Sequence, residues 1–189
     1  RTGSGKSSLV QCLARLDEFD GSIRVDGISI KSLSLRSLRS LVRVVQQDAT
    51  LRADTLRRNL IGPAHVSDDV IWAALSRVGA AACVSRCGGL ATIVREGGGD
   101  FSAGERQLLA LARALLPAPP SLLIADECSS NVDEVSDSNV HDVLLSLDAT
   151  VLAICHRLRH VHRFDACVVM DRGLVVERGA ASALLADPS

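Results

Sequence analysis

The 189-residue chain has no tyrosine, one tryptophan, three phenylalanines and one methionine, and Phe19 and Trp72 read as ordinary packing residues. Lysine is almost as scarce: Lys6 and Lys31 stand alone, and arginine supplies the rest of the 21 cations. No apolar run approaches the roughly 20 residues that a membrane helix needs, and no basic-then-apolar leader opens the chain. A net charge of -1 without a basic tail or stripe points to neither nucleic acid nor anionic lipid. The densest basic stretch, Arg36, Arg39, Arg43, Arg52, Arg57 and Arg58, reads as solvated faces. The six cysteines (Cys12, Cys83, Cys87, Cys128, Cys155, Cys167) form no C-x-x-C pair, and most lie in apolar runs where a thiol behaves as a small hydrophobe, a pattern that suits a reducing, cytosolic setting. There is no internal repeat and no low-complexity stretch. A composition that is 47% hydrophobic supports one sizeable core at this length.

One of the two lysines sits in the most informative stretch. Thr2-Gly3-Ser4-Gly5-Lys6-Ser7-Ser8 reads as the end of a phosphate-binding loop, G-x-x-x-x-G-K-[ST], whose first glycine is expected just before Arg1. Gly3 and Gly5 let the backbone turn its N–H groups toward phosphate oxygens, Lys6 adds a compact positive charge, and Ser7 offers a hydroxyl to magnesium. The chain is therefore expected to begin inside this motif, with a preceding strand outside it.

Downstream, periodicity predicts a helix over residues 7–16 with Leu9, Leu13 and Leu16 on one face. A hairpin is expected around Asp26-Gly27, then a helix over 35–41 and a buried strand over 42–45 that ends at Gln46-Gln47. Residues 55–116 read as mostly helical: Ser67 caps a helix running to Val78, Gly97-Gly98-Gly99 marks a mobile joint, and Ser102-Ala103-Gly104-Glu105 is a capping box opening an apolar helix that Pro117 ends. Strands follow at 121–125, ending in Asp126-Glu127, and at 150–154, ending at Cys155-His156, with a helix over 140–147 between them. A hairpin about Asp171-Arg172-Gly173 and a helix over 181–186 complete the chain. Strands alternating with helices imply an α/β domain with a mostly parallel sheet, an antiparallel β part and an inserted helical region. The expected core covers about 1–50 and 117–189, and the helical part about 51–116.

Ligands of open parallel sheets bind beyond the carboxyl ends of the strands. Gln47, Asp126, Glu127 and His156 all stand at such ends. Asp126 is expected to hold magnesium, Glu127 to polarise an attacking water and His156 to contact a γ-phosphate. A metal site from Cys155, His156, His160 and His162 is a weaker alternative, because His160 and His162 cannot share a helix face.

Taken together, these motifs resemble the nucleotide-binding domain of ATP-binding cassette (ABC) transporters. Gly3 to Ser8 is similar to the Walker A motif of that family, Gln47 to its Q-loop, Phe101 to Glu105 to its signature, Leu122 to Glu127 to its Walker B motif, Ser130 to Asp133 to its D-loop, and His156 to its switch histidine. The words flanking the signature and Walker B look most like the second domain of the multidrug-resistance-associated (C) subfamily.

The resemblance implies a P-loop NTPase fold, with ATP and Mg2+ as ligands and ATP hydrolysis that drives export. It also implies a second nucleotide-binding domain as partner in an ATP sandwich, along with attached transmembrane domains on the cytoplasmic face of a membrane. Thr2 to Ser8 and Gln47 would bind one nucleotide, with Ser7, Gln47 and Asp126 around the metal, while Ser102, Gly104 and Asp133 would serve the nucleotide of the partner. Two departures stand out. Ala103 and Glu105 replace a glycine and a glutamine of the usual signature, which predicts a weaker site on the partner side. The adenine-stacking aromatic of the family has no counterpart here, and the chain on its own is expected to be unstable and barely active. Rival readings are a soluble ABC-type ATPase and a catalytically degenerate regulatory domain.

Overall fold

The structure, a computed structural model, describes residues 3–155 and 158–186, without the side chains of Leu158 and Ala186. Three strands, β3 (Val42–Val45), β4 (Leu122–Asp126) and β5 (Thr150–Ile154), form a parallel sheet in that order. Val44 pairs with Ile124, and Ile124 pairs with Leu152. The unbroken apolar sequence of β4 belongs to the middle of this sheet, where Leu123, Ile124 and Ala125 are buried, as expected of a parallel strand covered on both faces. There are also two antiparallel ribbons: β1 (Arg24–Val25) with β2 (Ile28–Ser29), and β6 (Ala166–Asp171) with β7 (Leu174–Ala180). Asp26 and Gly27 both take positive φ, 50° and 77°, the primed turn that an Asp-Gly pair favours.

Helices α1 (Lys6–Leu13) and α2 (Leu35–Leu41) pack on the sheet through Val10 and Leu38. Helices α3 (Leu56–Ile61), α4 (Asp68–Arg77), α5 (Ala81–Arg86) and α6 (Ala103–Leu115) make the helical part. The last two, α7 (Glu134–Leu145) and α8 (Ala181–Ala186), follow β4 and β7. One apolar cluster runs without a break from the helical part, through Ile71, Leu75 and Leu109, to Leu123 on β4 and Leu144 on α7. A smaller cluster joins Val10, Val25, Ile30 and Leu38 to Ile124 and Ile154.

Four expectations change. The first helix stops at Leu13 and turns Val10 inward, leaving Leu9 and Leu16 exposed; Arg15 at φ 51° breaks the helical path before Leu16. Gly97 to Gly99 is a packed turn and not a joint: the Gly97 N–H donates to the Leu51 carbonyl at 2.9 Å. A Cβ on Gly98 would come within 2.8 Å of Arg106 Cδ and 3.1 Å of Leu51 Cδ1. Ser67 occupies the N-cap position of α4 but makes no side-chain cap bond. Two arginines assigned to solvent are anchors: Arg43 donates to the Ala114 and Leu116 carbonyls at the end of α6, and Arg57 donates to Asp68 and to the Val66 carbonyl. A guanidinium at a helix C-terminus satisfies carbonyls that have no partner within the helix.

Candidate nucleotide site

The loop before α1 is shaped by two glycines with positive φ, Gly3 at 82° and Gly5 at 95°. Successive N–H groups in such a turn make a concave anion site that opens onto a helix N-terminus. A side chain on Gly5 would also be crowded, because its Cβ would stand 3.2 Å from Gly173 Cα. The β6–β7 turn buttresses the loop there, with the Gly173 N–H donating to the Ser4 carbonyl at 3.1 Å. Ser4 is buried, and Lys6 Nζ donates to its Oγ at 2.9 Å.

A cavity of about 510 Å3 lies over this loop, lined by Gly3 to Ser8 together with Gln47, Asp126 and Glu127. Residues far apart in sequence meet here because β3 and β4 are parallel neighbours whose carboxyl ends share one edge. Glu127 follows β4 with φ 49°, a left-handed conformation uncommon for a non-glycine residue. Its N–H is fixed by the Ile154 carbonyl at 3.1 Å. Hydroxyl, amide and carboxylate oxygens from Ser7, Gln47 and Asp126 are the hard donors that Mg2+ prefers, and the glycine cradle leaves room for phosphate. The residues present fit both groups.

The signature-like residues lie elsewhere. Ser102 and Gly104 line a separate cavity of about 620 Å3 with Arg86, Glu105, Asn131 and Asp133. The capping box forms as expected: Ser102 Oγ accepts from the Glu105 N–H at 3.2 Å, and Glu105 Oε2 accepts from the Ser102 N–H at 2.8 Å. The Glu105 carboxylate is also paired with Arg86. Burial pushes this carboxyl up, but the bonds from Arg86 and Ser102 outweigh it and hold it below the ordinary carboxylate value. Its negative charge is therefore offset within the chain. Gly104 is required by contact, since a Cβ would come within 2.9 Å of the Asn131 carbonyl oxygen. Asp133 caps α7, accepting from the Val135 and Ser136 N–H groups at 3.1 and 3.0 Å. Thr2 and His156 lie outside the described residues.

Two features escaped the sequence reading. Gln107, on the buried face of α6, donates from Nε2 to the Gln46 carbonyl at 2.9 Å and so fixes the backbone next to Gln47. Nothing in periodicity separates this glutamine from a solvent-facing one. The second is a cluster of Asp137, His141 and His160. His160 packs against Asp137, whereas His162 is exposed, so these two histidines do not share a site as the alternative metal reading required. The cysteines are all free, and burial pushes the Cys128 thiol up to about 12 and Cys83 to about 11, which keeps both protonated and inert. Among the described residues no helix is long and apolar enough to cross a membrane.

The family description "ABC transporter" matches residues 1–130. The chain belongs to the ABC transporter family. This ABC domain is 42% identical to ABC transporter C family member 13 of Arabidopsis thaliana, over all of this chain and 14% of that protein. It is 40% identical to ABC transporter C family member 8 of Dictyostelium discoideum, over 98% of this chain and 12% of that one. With ATP-binding cassette sub-family C member 8 of Homo sapiens the identity is 38%, over 94% and 11%. The ABC domain thus spans only a small fraction of the length of these relatives. Its fold matches a bacterial Atm1-family ABC exporter solved with ATP bound, with a TM-score of 0.91 and 30% identity over all of this chain and 34% of the other. The ABC domain is an ATP-binding domain homologous to C-subfamily proteins.

Proposed function

We propose that this ABC domain hydrolyses Mg2+-ATP and powers export across a membrane as part of a longer polypeptide, in which it is the second nucleotide-binding domain. The observation that carries this reading is the shared cavity in which Gly3 to Ser8, Gln47, Asp126 and Glu127 meet. In that reading Gly3, Gly5 and Lys6 bind the phosphates, and Ser7, Asp126 and Gln47 would hold Mg2+, which would supply neutralisation of the charge developing on the phosphates. Glu127, fixed by its N–H bond to Ile154, accepts a hydrogen bond from the attacking water and orients it in line with the γ-phosphate. His156, following β5, contacts the γ-phosphate. Residues 1–50 and 117–189 form the catalytic core, and 51–116 the helical part.

Ser102, Gly104 and Asp133 stand away from the first cavity, on a second concave surface. They serve a nucleotide bound by another nucleotide-binding domain, and transmembrane domains of the same protein receive the resulting motion. The names of the relatives support the C subfamily, and that of the structural neighbour supports export. Phosphate release from ATP by the purified intact protein tests the reading. Lys6→Ala is expected to lower both nucleotide binding and turnover at least about tenfold, a loss of one charge-assisted phosphate contact, and unchanged turnover would refute it.

A further inference from the structure

Asp137 and His141 stand one turn apart on the same face of α7, and His160 reaches them from the 3-10 turn Leu158–Arg163 that follows β5. All three are buried, at 5%, 5% and 9% exposure. His160 Nε2 lies 2.9 Å from Asp137 Oδ2, and His141 Nδ1 lies 3.4 Å from Asp137 Oδ1 and 2.9 Å from the Asp137 carbonyl oxygen, a bond that an ion taken up by that nitrogen would replace. The imidazoles stack with centroids 4.1 Å apart and planes at 28°. One donor atom from each residue falls within 4.8 Å of the others. They line a cavity of about 200 Å3 that also reaches Ser130, Cys155 and Glu127, and the buried Ser130 hydroxyl has no hydrogen-bond partner.

From this geometry we propose that Asp137, His141 and His160 form a binding site for a Zn2+-class divalent transition ion, separate from the Mg2+ ligands at Ser7, Gln47 and Asp126. Two imidazoles and one carboxylate are the protein ligand set of open tetrahedral zinc sites, with water in the fourth place. Bonds of about 2.0–2.1 Å to a tetrahedral ion hold the donor atoms roughly 3.3 Å apart. The present 2.9 and 3.4 Å separations run to the two different oxygens of the Asp137 carboxylate, and the three donor atoms all lie within 4.8 Å of one another, so metal entry draws the side chains together around one ion.

On binding, the ion takes the place of the proton between His160 Nε2 and Asp137, with the ring switching to its Nδ1–H tautomer. The site ties α7 to the segment after β5, two elements also joined at the surface by the pairs Arg163–Asp142 and Arg159–Glu134. The inference is independent of the nucleotide reading.

The test is a Co2+ titration of the purified intact protein, stripped with chelator and free of nucleotide. It is expected to produce the intense visible absorption of a four- or five-coordinate site, saturating at one ion per domain and displaced by Zn2+. His160→Asn, alone or with His141→Gln, is expected to weaken that binding by at least about 10- to 100-fold, the cost of losing even an outer-shell partner of a metal site, while Asp126→Asn leaves it intact. Absence of the band in the wild-type protein at saturating Co2+, a reading that needs no variant to fold, would overturn the proposal. So would a band that survives in the histidine variants and vanishes in Asp126→Asn.

Discussion

Glu105 shows how a single residue can carry more than its sequence position suggests. A carboxylate at this place reads as repulsive toward phosphate, yet it closes the capping box with Ser102 and is paired with Arg86. The expected weakness of the partner-side site must then rest on Ala103, which adds an exposed methyl next to Gly104, more than on charge. The pairing also fixes a pH dependence. The folded-state value of Glu105 is lowered, so its contribution to stability is complete above the unfolded value of about 4.3 and is lost as pH falls through the folded value. Thermal unfolding of the intact protein is expected to show an acid limb below about pH 4.3 that Glu105→Gln makes shallower. An identical limb in that variant would contradict the pairing.

At the scale of elements, helix α6 connects the two cavities. Its N-terminus carries Ser102 and Glu105, its middle carries Gln107, and its C-terminal carbonyls are held by Arg43 of β3. Ser102→Ala removes one cap bond and is expected to cost about 1 kcal/mol, read as a lower denaturation midpoint with unchanged nucleotide affinity at the Lys6 site. The capping box, the hairpin turn at Asp26-Gly27 and the ends of β3, β4 and β5 were legible because each depends on residues close in sequence or on a simple period. The Gln107 bond to Gln46 spans 61 positions and obeys no period, so only the folded arrangement reveals it. The same holds for the Asp137–His160 contact and for the close fit of Gly5 against Gly173. The glycine run at 97–99 misled for a related reason: conformational freedom in sequence becomes close packing once Leu51 and Arg106 surround it. Strand polarity could be read from composition, whereas the side chains that lock neighbouring loops could not.

Across the whole molecule, one continuous apolar cluster joins the helical part to β4 and α7, so nucleotide-side and signature-side surfaces share a core. Leu109 is fully buried within that cluster. Leu109→Ala is expected to destabilise the domain by about 2–5 kcal/mol, seen as a downward shift of the unfolding midpoint in intact protein; a shift within error of zero would argue that the helical part is cored separately. In the proposed mechanism Glu127, held at the carboxyl edge of β4 beside the phosphate loop, orients the water that attacks ATP. Single-turnover and steady-state ATP hydrolysis by the intact protein carrying Glu127→Gln or Glu105→Gln measures it most directly. Glu127→Gln is expected to retain ATP and lower turnover about 10²- to 10⁴-fold, the range for loss of a general base, while Glu105→Gln keeps most of its activity; equal losses from the two substitutions, or full turnover without Glu127, would contradict the account.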